Sequence, residues 1–287
     1  MQIKPYENVR SIAEKYDVFV VDLWGVIHDG VVAYPGVNDC LANLKKAGKT
    51  IIFLSNAPRR AALAITGLEK VGVPAHLYDK VLTSGEVSYE YIKSGAGNFG
   101  KKYIIIGPER DAGLISDLDY QRVENPAEAN FGIITGFEED SSTLEEKIPL
   151  LQELKKHNLP LICANPDLVI VRQTGVRALC AGVMAEEYAK MGGKIKQFGK
   201  PYGEVYNKIF SDLAGTPKAR IAAIGDSLKT DIAGANAAGI DSYLIAGGIL
   251  GEELGIKHGQ LPAAEKLLAV CNKEGTIPKG VLPEFIW

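Results

Sequence analysis

Val18-Phe19-Val20-Val21-Asp22-Leu23-Trp24-Gly25 is the stretch whose reading decides the fold. Four consecutive apolar residues, three of them β-branched, read as a strand buried on both faces, as in the interior of a parallel sheet. The run stops abruptly at a carboxylate, and a glycine follows soon after. A strand that ends this way puts a nucleophile or metal ligand at the C-terminal edge of a sheet. In open α/β folds, that edge is where ligands bind.

Outward from this strand, apolar strands and helical patterns alternate. Val37, Leu41 and Leu44 recur at helical spacing, with Gly48 as the stop. Ile51–Leu54 is a second buried strand and ends at Ser55-Asn56. Pro58 suits the first turn of a helix running to Gly72, and Val81-Leu82-Thr83 feeds another. Tyr103–Ile106, Phe131–Thr135 and Leu161–Ala164 follow as strands. Ser142-Thr143-Leu144-Glu145 reads as a capping box, opening a helix with Leu144, Ile148, Leu151 and Leu154 on one face. A helix over 182–191 closes at Gly192-Gly193, and another is predicted over 203–213. Arg220–Ile224 is a strand ending in Gly225-Asp226-Ser227, and Ser242–Ile245 is the last strand.

Such alternation predicts an α/β fold, a doubly wound parallel sheet with helices on both faces. The middle third changes tempo. Residues 1–85 and 196–287 are therefore expected to form one discontinuous core, and 86–195 an inserted α/β domain. No Pro/Ser-rich linker marks the joints.

The totals exclude several classes. A net charge of −3 leaves no basic footprint for nucleic acid. The apolar runs are strand-length, far short of a membrane span, so no membrane partner is expected. Cys40, Cys163, Cys180 and Cys271 are scattered with no CxxC pair, which predicts reduced, buried thiols. The N-terminus has no apolar core ahead of Glu14 and Asp17, so no signal peptide is read and a cytoplasmic location is expected.

Four strand ends or loops converge on one chemistry: Asp22, Ser55-Asn56, Gly199-Lys200-Pro201, and Gly225-Asp226-Ser227 through Asp231. A phosphoryl group needs a nucleophile, hydrogen bonds to its oxygens, a cation for developing charge, and a metal for the remainder. Asp22 can attack, the Ser55 hydroxyl with nearby backbone N–H groups can hold the phosphate, and Lys200 can neutralise charge. Asp226 and Asp231 can hold Mg²⁺, a hard cation that prefers carboxylates. Taken singly these residues say little: Lys200 alone reads as a solvated lysine, and Asp226 or Asp231 alone as a turn or cap residue.

Together and in this order they resemble the haloacid dehalogenase (HAD) superfamily. Cys163-Ala-Asn-Pro-Asp167 and Ala178-Leu-Cys-Ala-Gly182, ahead of Gly199-Lys200-Pro201, resemble the large cap of subclass IIA, which contains the NagD-like and p-nitrophenylphosphatase-like enzymes. The resemblance runs from about residue 17 to about 250 and omits the tail from Ile277 to Trp287, for which no role is read. It implies a Rossmann-like core with an inserted C2-type cap. The implied activity is that of a Mg²⁺-dependent phosphatase acting on a small phosphorylated metabolite, a sugar or nucleotide phosphate, through an aspartyl-phosphate. Asp22, Lys200 and Ser55 would be catalytic, with Ser55, Asn56 and Lys200 on the phosphate. Metal would be held by Asp22, the Trp24 backbone carbonyl, Asp226 and Asp231. Asn165 and Asp167 would sit on the cap loop that meets substrate, and a homodimer is compatible with the resemblance.

The departure is Trp24. The family's phosphatases carry a second Asp there, which protonates the leaving group and then activates water. Losing it without a substitute costs roughly 10²- to 10⁴-fold. His28 and Asp29, a few residues downstream, are candidate substitutes. Two other readings stay open: a metal-independent 2-haloacid dehalogenase, which needs no leaving-group acid, and a phosphometabolite-binding protein with weakened turnover. Arg172 and Arg177, flanking Gln173-Thr174-Gly175, are read as surface charge or as an anion contact.

Overall fold

The computed structural model describes residues 3–172, 175–213 and 215–287. The Gln173-Thr174 part of the turn between Arg172 and Arg177 lies outside the described residues. The chain folds as two compact units. The first comprises Met1–Ser55, Ile65–Leu82 and Lys200–Trp287; the second comprises Asn56–Ala64 and Thr83–Gly199. Relative to limits drawn at 85/86 and 195/196, residues 56–64, 83–85 and 196–199 belong with the second unit. Local bonds explain this for 56–64. Gly85 N–H donates to the Ala57 carbonyl (3.1 Å), and the Thr83 hydroxyl donates to that of Arg59 (2.5 Å).

The first unit is built on a seven-stranded sheet in the order Lys4–Pro5, Gly280–Leu282, Asp241–Ile245, Ile221–Gly225, Val18–Val21, Thr50–Ser55, Lys80–Thr83. Its pairings from Lys4–Pro5 through Thr50–Ser55 are parallel. From Val18–Val21 the chain moves outward on one side, then returns to place Ile221–Gly225 on the other. The two strands that end in Asp22 and Asp226 therefore flank the switch point of the sheet, where a crevice opens beyond the carboxyl ends. Val18–Val21 is buried along its whole length, as its unbroken apolar run requires. The tail is part of this unit: Gly280–Leu282 adds a strand beside Asp241–Ile245, Leu282 is buried, and Val281 joins a core with Leu228, Leu244 and Leu267.

The second unit has a five-stranded parallel sheet in the order Ile195–Gln197, Leu161–Cys163, Phe131–Ile134, Lys102–Ile106, Gln121–Arg122. An antiparallel hairpin, Val169–Val171 with Arg177–Leu179, stands apart from it. Arg172 beside this hairpin makes a two-pronged ion pair with Asp140 (2.6 and 2.9 Å). The capping box forms one residue later than expected, with Thr143 as the cap and Glu146 reaching back to its N–H (3.1 Å). Leu151 and Leu154 then pack into the core with Leu161, Met184 and Tyr188.

The helix expected from Pro58 begins only at Ala61. The reason is long-range: Glu86 accepts the Ala61 N–H (2.8 Å) and forks onto Arg60 (2.9 and 3.0 Å), so the exposed helix N–H groups find a carboxylate there. All four cysteines are free and buried. No helix among the described residues is long and apolar enough to cross a membrane.

Candidate active site

Asp22 and Asp226 leave adjacent parallel strands in which Val21 pairs with Ile224, and the Asp22 N–H extends the ladder to the Ile224 carbonyl (2.9 Å). Asp231 comes from the helical turn Leu228–Ile232. Ser227 opens that turn by accepting the Thr230 N–H (3.3 Å), while its own N–H donates to Asp231 Oδ2 (3.1 Å). Gly225 is needed here, because a Cβ on it would lie 2.1 Å from Asp231 Cγ.

The three carboxylates offer oxygens within 4.8 Å of one another, and all three are buried. Lys200 joins them: its Nζ lies 2.7 Å from Asp231 Oδ1 and donates to Asp22 Oδ1. At 3% exposure Lys200 is no surface lysine; only paired carboxylates make a buried ammonium tolerable. One ammonium against three carboxylates leaves two negative charges in this group of side chains. Burial, then the charges of Asp22 and Asp231, pushes the Asp226 carboxyl well above the usual range. A hard divalent cation with oxygen ligands relieves that repulsion, so the donor set fits such an ion.

The Asp226 carboxylate is closely walled. Its Oδ2 accepts the Ile249 N–H (2.8 Å), and a Cβ on either Gly25 (φ +80°) or Gly248 would lie 2.1 Å from that oxygen. Side-chain periodicity does not reveal this use of Gly248 and Ile249, although the Gly247-Gly248 pair after the last predicted strand is a usable signal. Tyr206 was also missed. Burial first, and then Asp231, raises its phenol, and its helix-face position carries no sequence signal of proximity to a charged site.

Trp24 lies in a hairpin-like loop. Its ring meets His28 edge-on (centroids 5.7 Å, 78°) and covers Gly30 (φ +93°), where a Cβ would fall 2.3 Å from the indole. The two candidate substitute acids are engaged within the same loop. His28 Nδ1 accepts the Gly30 N–H (3.0 Å), and burial lowers the ring to about 4, leaving it neutral at pH 7. Asp29 Oδ1 accepts the N–H groups of Val31 (2.8 Å) and Val32 (2.9 Å). Burial opposes its charge, but those bonds hold its carboxyl below the usual range, so it is ionised. Neither group holds the proton of a general acid at neutral pH.

Ser55 ends the strand beside Val18–Val21 and is buried in the same unit as Asp22. Asn56, expected with it on phosphate, donates its amide to Asp167 Oδ1 (2.8 Å) within the second unit. Asn165 Oδ1 accepts the Asp167 N–H (3.2 Å), which ties the Asn-Pro-Asp turn. The structure thus groups the predicted residues in two sets: Asp22, Lys200, Asp226 and Asp231 in the first unit, and Asn56, Asn165 and Asp167 in the second.

The chain matches a family profile described as haloacid dehalogenase-like hydrolase over residues 19–121, and a second HAD-hydrolase-like profile over 197–267. A solved hydrolase of the haloacid dehalogenase-like family from Brucella suis 1330 is 31% identical, with a TM-score of 0.84, covering 98% of this chain and all of that one (100%). The 4-nitrophenylphosphatase of Thermotoga maritima is 25% identical, with a TM-score of 0.70, over 94% of this chain and 95% of its own. Glycerol-3-phosphate phosphatase of Gallus gallus is 24% identical over 91% of this chain and 90% of its own length. The carboxylates at the switch point, the Lys200 contact and these matches agree: the chain belongs to the haloacid dehalogenase-like hydrolases, in the subclass of the NagD-like and 4-nitrophenylphosphatase-like enzymes.

Proposed function

We propose that the protein is a Mg²⁺-dependent phosphatase that hydrolyses a small phosphorylated metabolite through an aspartyl-phosphate on Asp22. The observation that carries this reading is the buried cluster of Asp22, Asp226 and Asp231 around Lys200. Among the relatives are proteins named as glycerol-3-phosphate and 4-nitrophenyl phosphatases, in keeping with it.

Asp22 is paired with the Lys200 ammonium and anchored by its backbone bond to Ile224, so one carboxylate oxygen is poised for in-line attack on phosphorus. Lys200 then faces the charge that develops on the phosphoryl oxygens, and the Ser55 hydroxyl is the proposed donor to them. Asp22, Asp226, Asp231 and the Trp24 carbonyl would hold Mg²⁺, which supplies charge neutralisation for the phosphoryl group. Water releases phosphate from Asp22 in the second half of the reaction. Asn165 and Asp167, tied to Asn56, are the second unit's candidates for reading the rest of the substrate.

The test is phosphate release from p-nitrophenyl phosphate and a panel of phosphorylated metabolites, with and without Mg²⁺, using Asp22→Asn as the blank. Metal-dependent release that is absent in the blank supports the proposal. Halide release from a 2-haloacid without metal overturns it in favour of a dehalogenase. Tight binding of phosphate analogues with no turnover makes the chain a binding protein.

A further inference from the structure

Asp226 sits in a slot with two glycine walls from different segments. Gly25 belongs to the loop from Leu23 to Tyr34, and Gly248 to the turn after the strand Asp241–Ile245. A Cβ on either would lie 2.1 Å from Asp226 Oδ2, and the Ile249 N–H donates to the same oxygen at 2.8 Å. A carboxylate walled this closely by backbone has no slack, so its position depends on the spacing of the two segments.

A side-chain contact ties these segments together. The Tyr34 ring stacks on His258, with centroids 4.0 Å apart and planes 16° from parallel. Tyr34 is fastened to its loop by an N–H bond to the Ile27 carbonyl (2.9 Å). His258 presses on the glycine turn, where a Cβ on Gly247 would lie 2.6 Å from His258 Cα.

Both ring nitrogens of His258 are shielded from solvent and have no protein hydrogen-bond partner among the described residues. The Glu284 carboxylate of the C-terminal tail stands 3.9 Å from Nε2, too far for a hydrogen bond. Burial lowers the ring's pKa, which leaves a flat, neutral partner for the tyrosine.

We propose that the Tyr34–His258 stack sets the width of the Asp226 slot, which makes both side chains positioning residues for the acidic cluster. Tyr34 acts through the loop that carries Gly25, and His258 through Gly247, Gly248 and Ile249. This deepens the metal reading of the same cluster, and its Mg²⁺ arm rests on that reading.

The test compares the intact wild-type protein with His258→Ala and His258→Phe. Two quantities are measured: Mg²⁺ affinity by calorimetry, and amide hydrogen exchange at Ile249 without metal. His258→Ala is expected to weaken Mg²⁺ binding about tenfold, as loss of a metal site's supporting contact does. It should also speed Ile249 exchange by about tenfold through local opening. His258→Phe keeps the flat ring and is expected to stay within about twofold of wild type in both. Wild-type exchange at Ile249 in His258→Ala overturns the proposal, as does equal loss in the Phe variant. Faster exchange spread evenly over Asp241–Ile245, with Mg²⁺ affinity unchanged, also overturns it by making His258 merely structural. If wild type binds no Mg²⁺, the metal reading fails and Ile249 exchange alone decides the clamp. Should His258→Ala not fold, Tyr34→Leu against Tyr34→Phe reads the same contact from the other side.

Discussion

Trp24 carries no proton that a leaving alkoxide could take, and its ring is occupied with Gly30 and His28. Expulsion of the leaving group should then depend strongly on how stable its anion is. Measurable turnover of p-nitrophenyl phosphate and poor turnover of alkyl phosphates is the expected pattern, read as kcat/KM across a series of leaving groups. Trp24→Asp should raise alkyl phosphate turnover by about 10²-fold, within the usual range for a positioned acid, and flatten the series. A flat series in the wild type would mean that another group already supplies the proton. Trp24 could be read from the sequence as a departure because its position after Asp22 is fixed. Its packing against Gly30 could not, because that contact depends on how the loop turns back.

At the scale of the element, the loop from Leu23 to Tyr34 contains both proposed substitute acids and uses both internally. His28 titrates near 4 in the folded chain against an ordinary value of 6.5, because burial disfavours its charged form. Between those values the unfolded chain binds the proton and the folded chain does not. The stability this contributes is complete above pH 6.5 and is lost as pH falls towards about 4. The expected loss is roughly 2 kcal/mol, discounted for a ring that is only partly screened from solvent. His28→Asn should lessen the fall in urea midpoint between pH 7 and pH 4.5. Identical slopes would remove His28 as the titrating group. Other element limits were misread for a shared reason. Ala61 starts its helix because Glu86, distant in sequence, caps it, and local propensity carries no record of that partner. The short strand Gly280–Leu282 has too few residues for a periodic signal and forms because its neighbour offers an edge.

Over the whole molecule, an ion that binds only the folded cluster must raise stability by mass action. Mg²⁺ at a hundred times its dissociation constant should add about 2.7 kcal/mol, seen as a higher Tm that EDTA reverses. Asp226→Ala should abolish the rise, since it removes the carboxylate held between Gly25 and Gly248. An equal rise in that variant would place the metal elsewhere. The sequence by itself determined the α/β class, the order of Asp22, Ser55, Lys200 and Asp226, and the carboxylates at strand ends. Strand runs and their terminal residues are local, and a parallel sheet aligns their C-terminal ends. Only the tertiary structure decided that Lys200 is buried between Asp22 and Asp231, 178 residues from the first of them. It also decided that Asn56 turns to Asp167, 111 residues away, and that Tyr34 lies on His258. These are pairings between residues far apart in the chain, and the energy that selects them exists only once both partners are buried together.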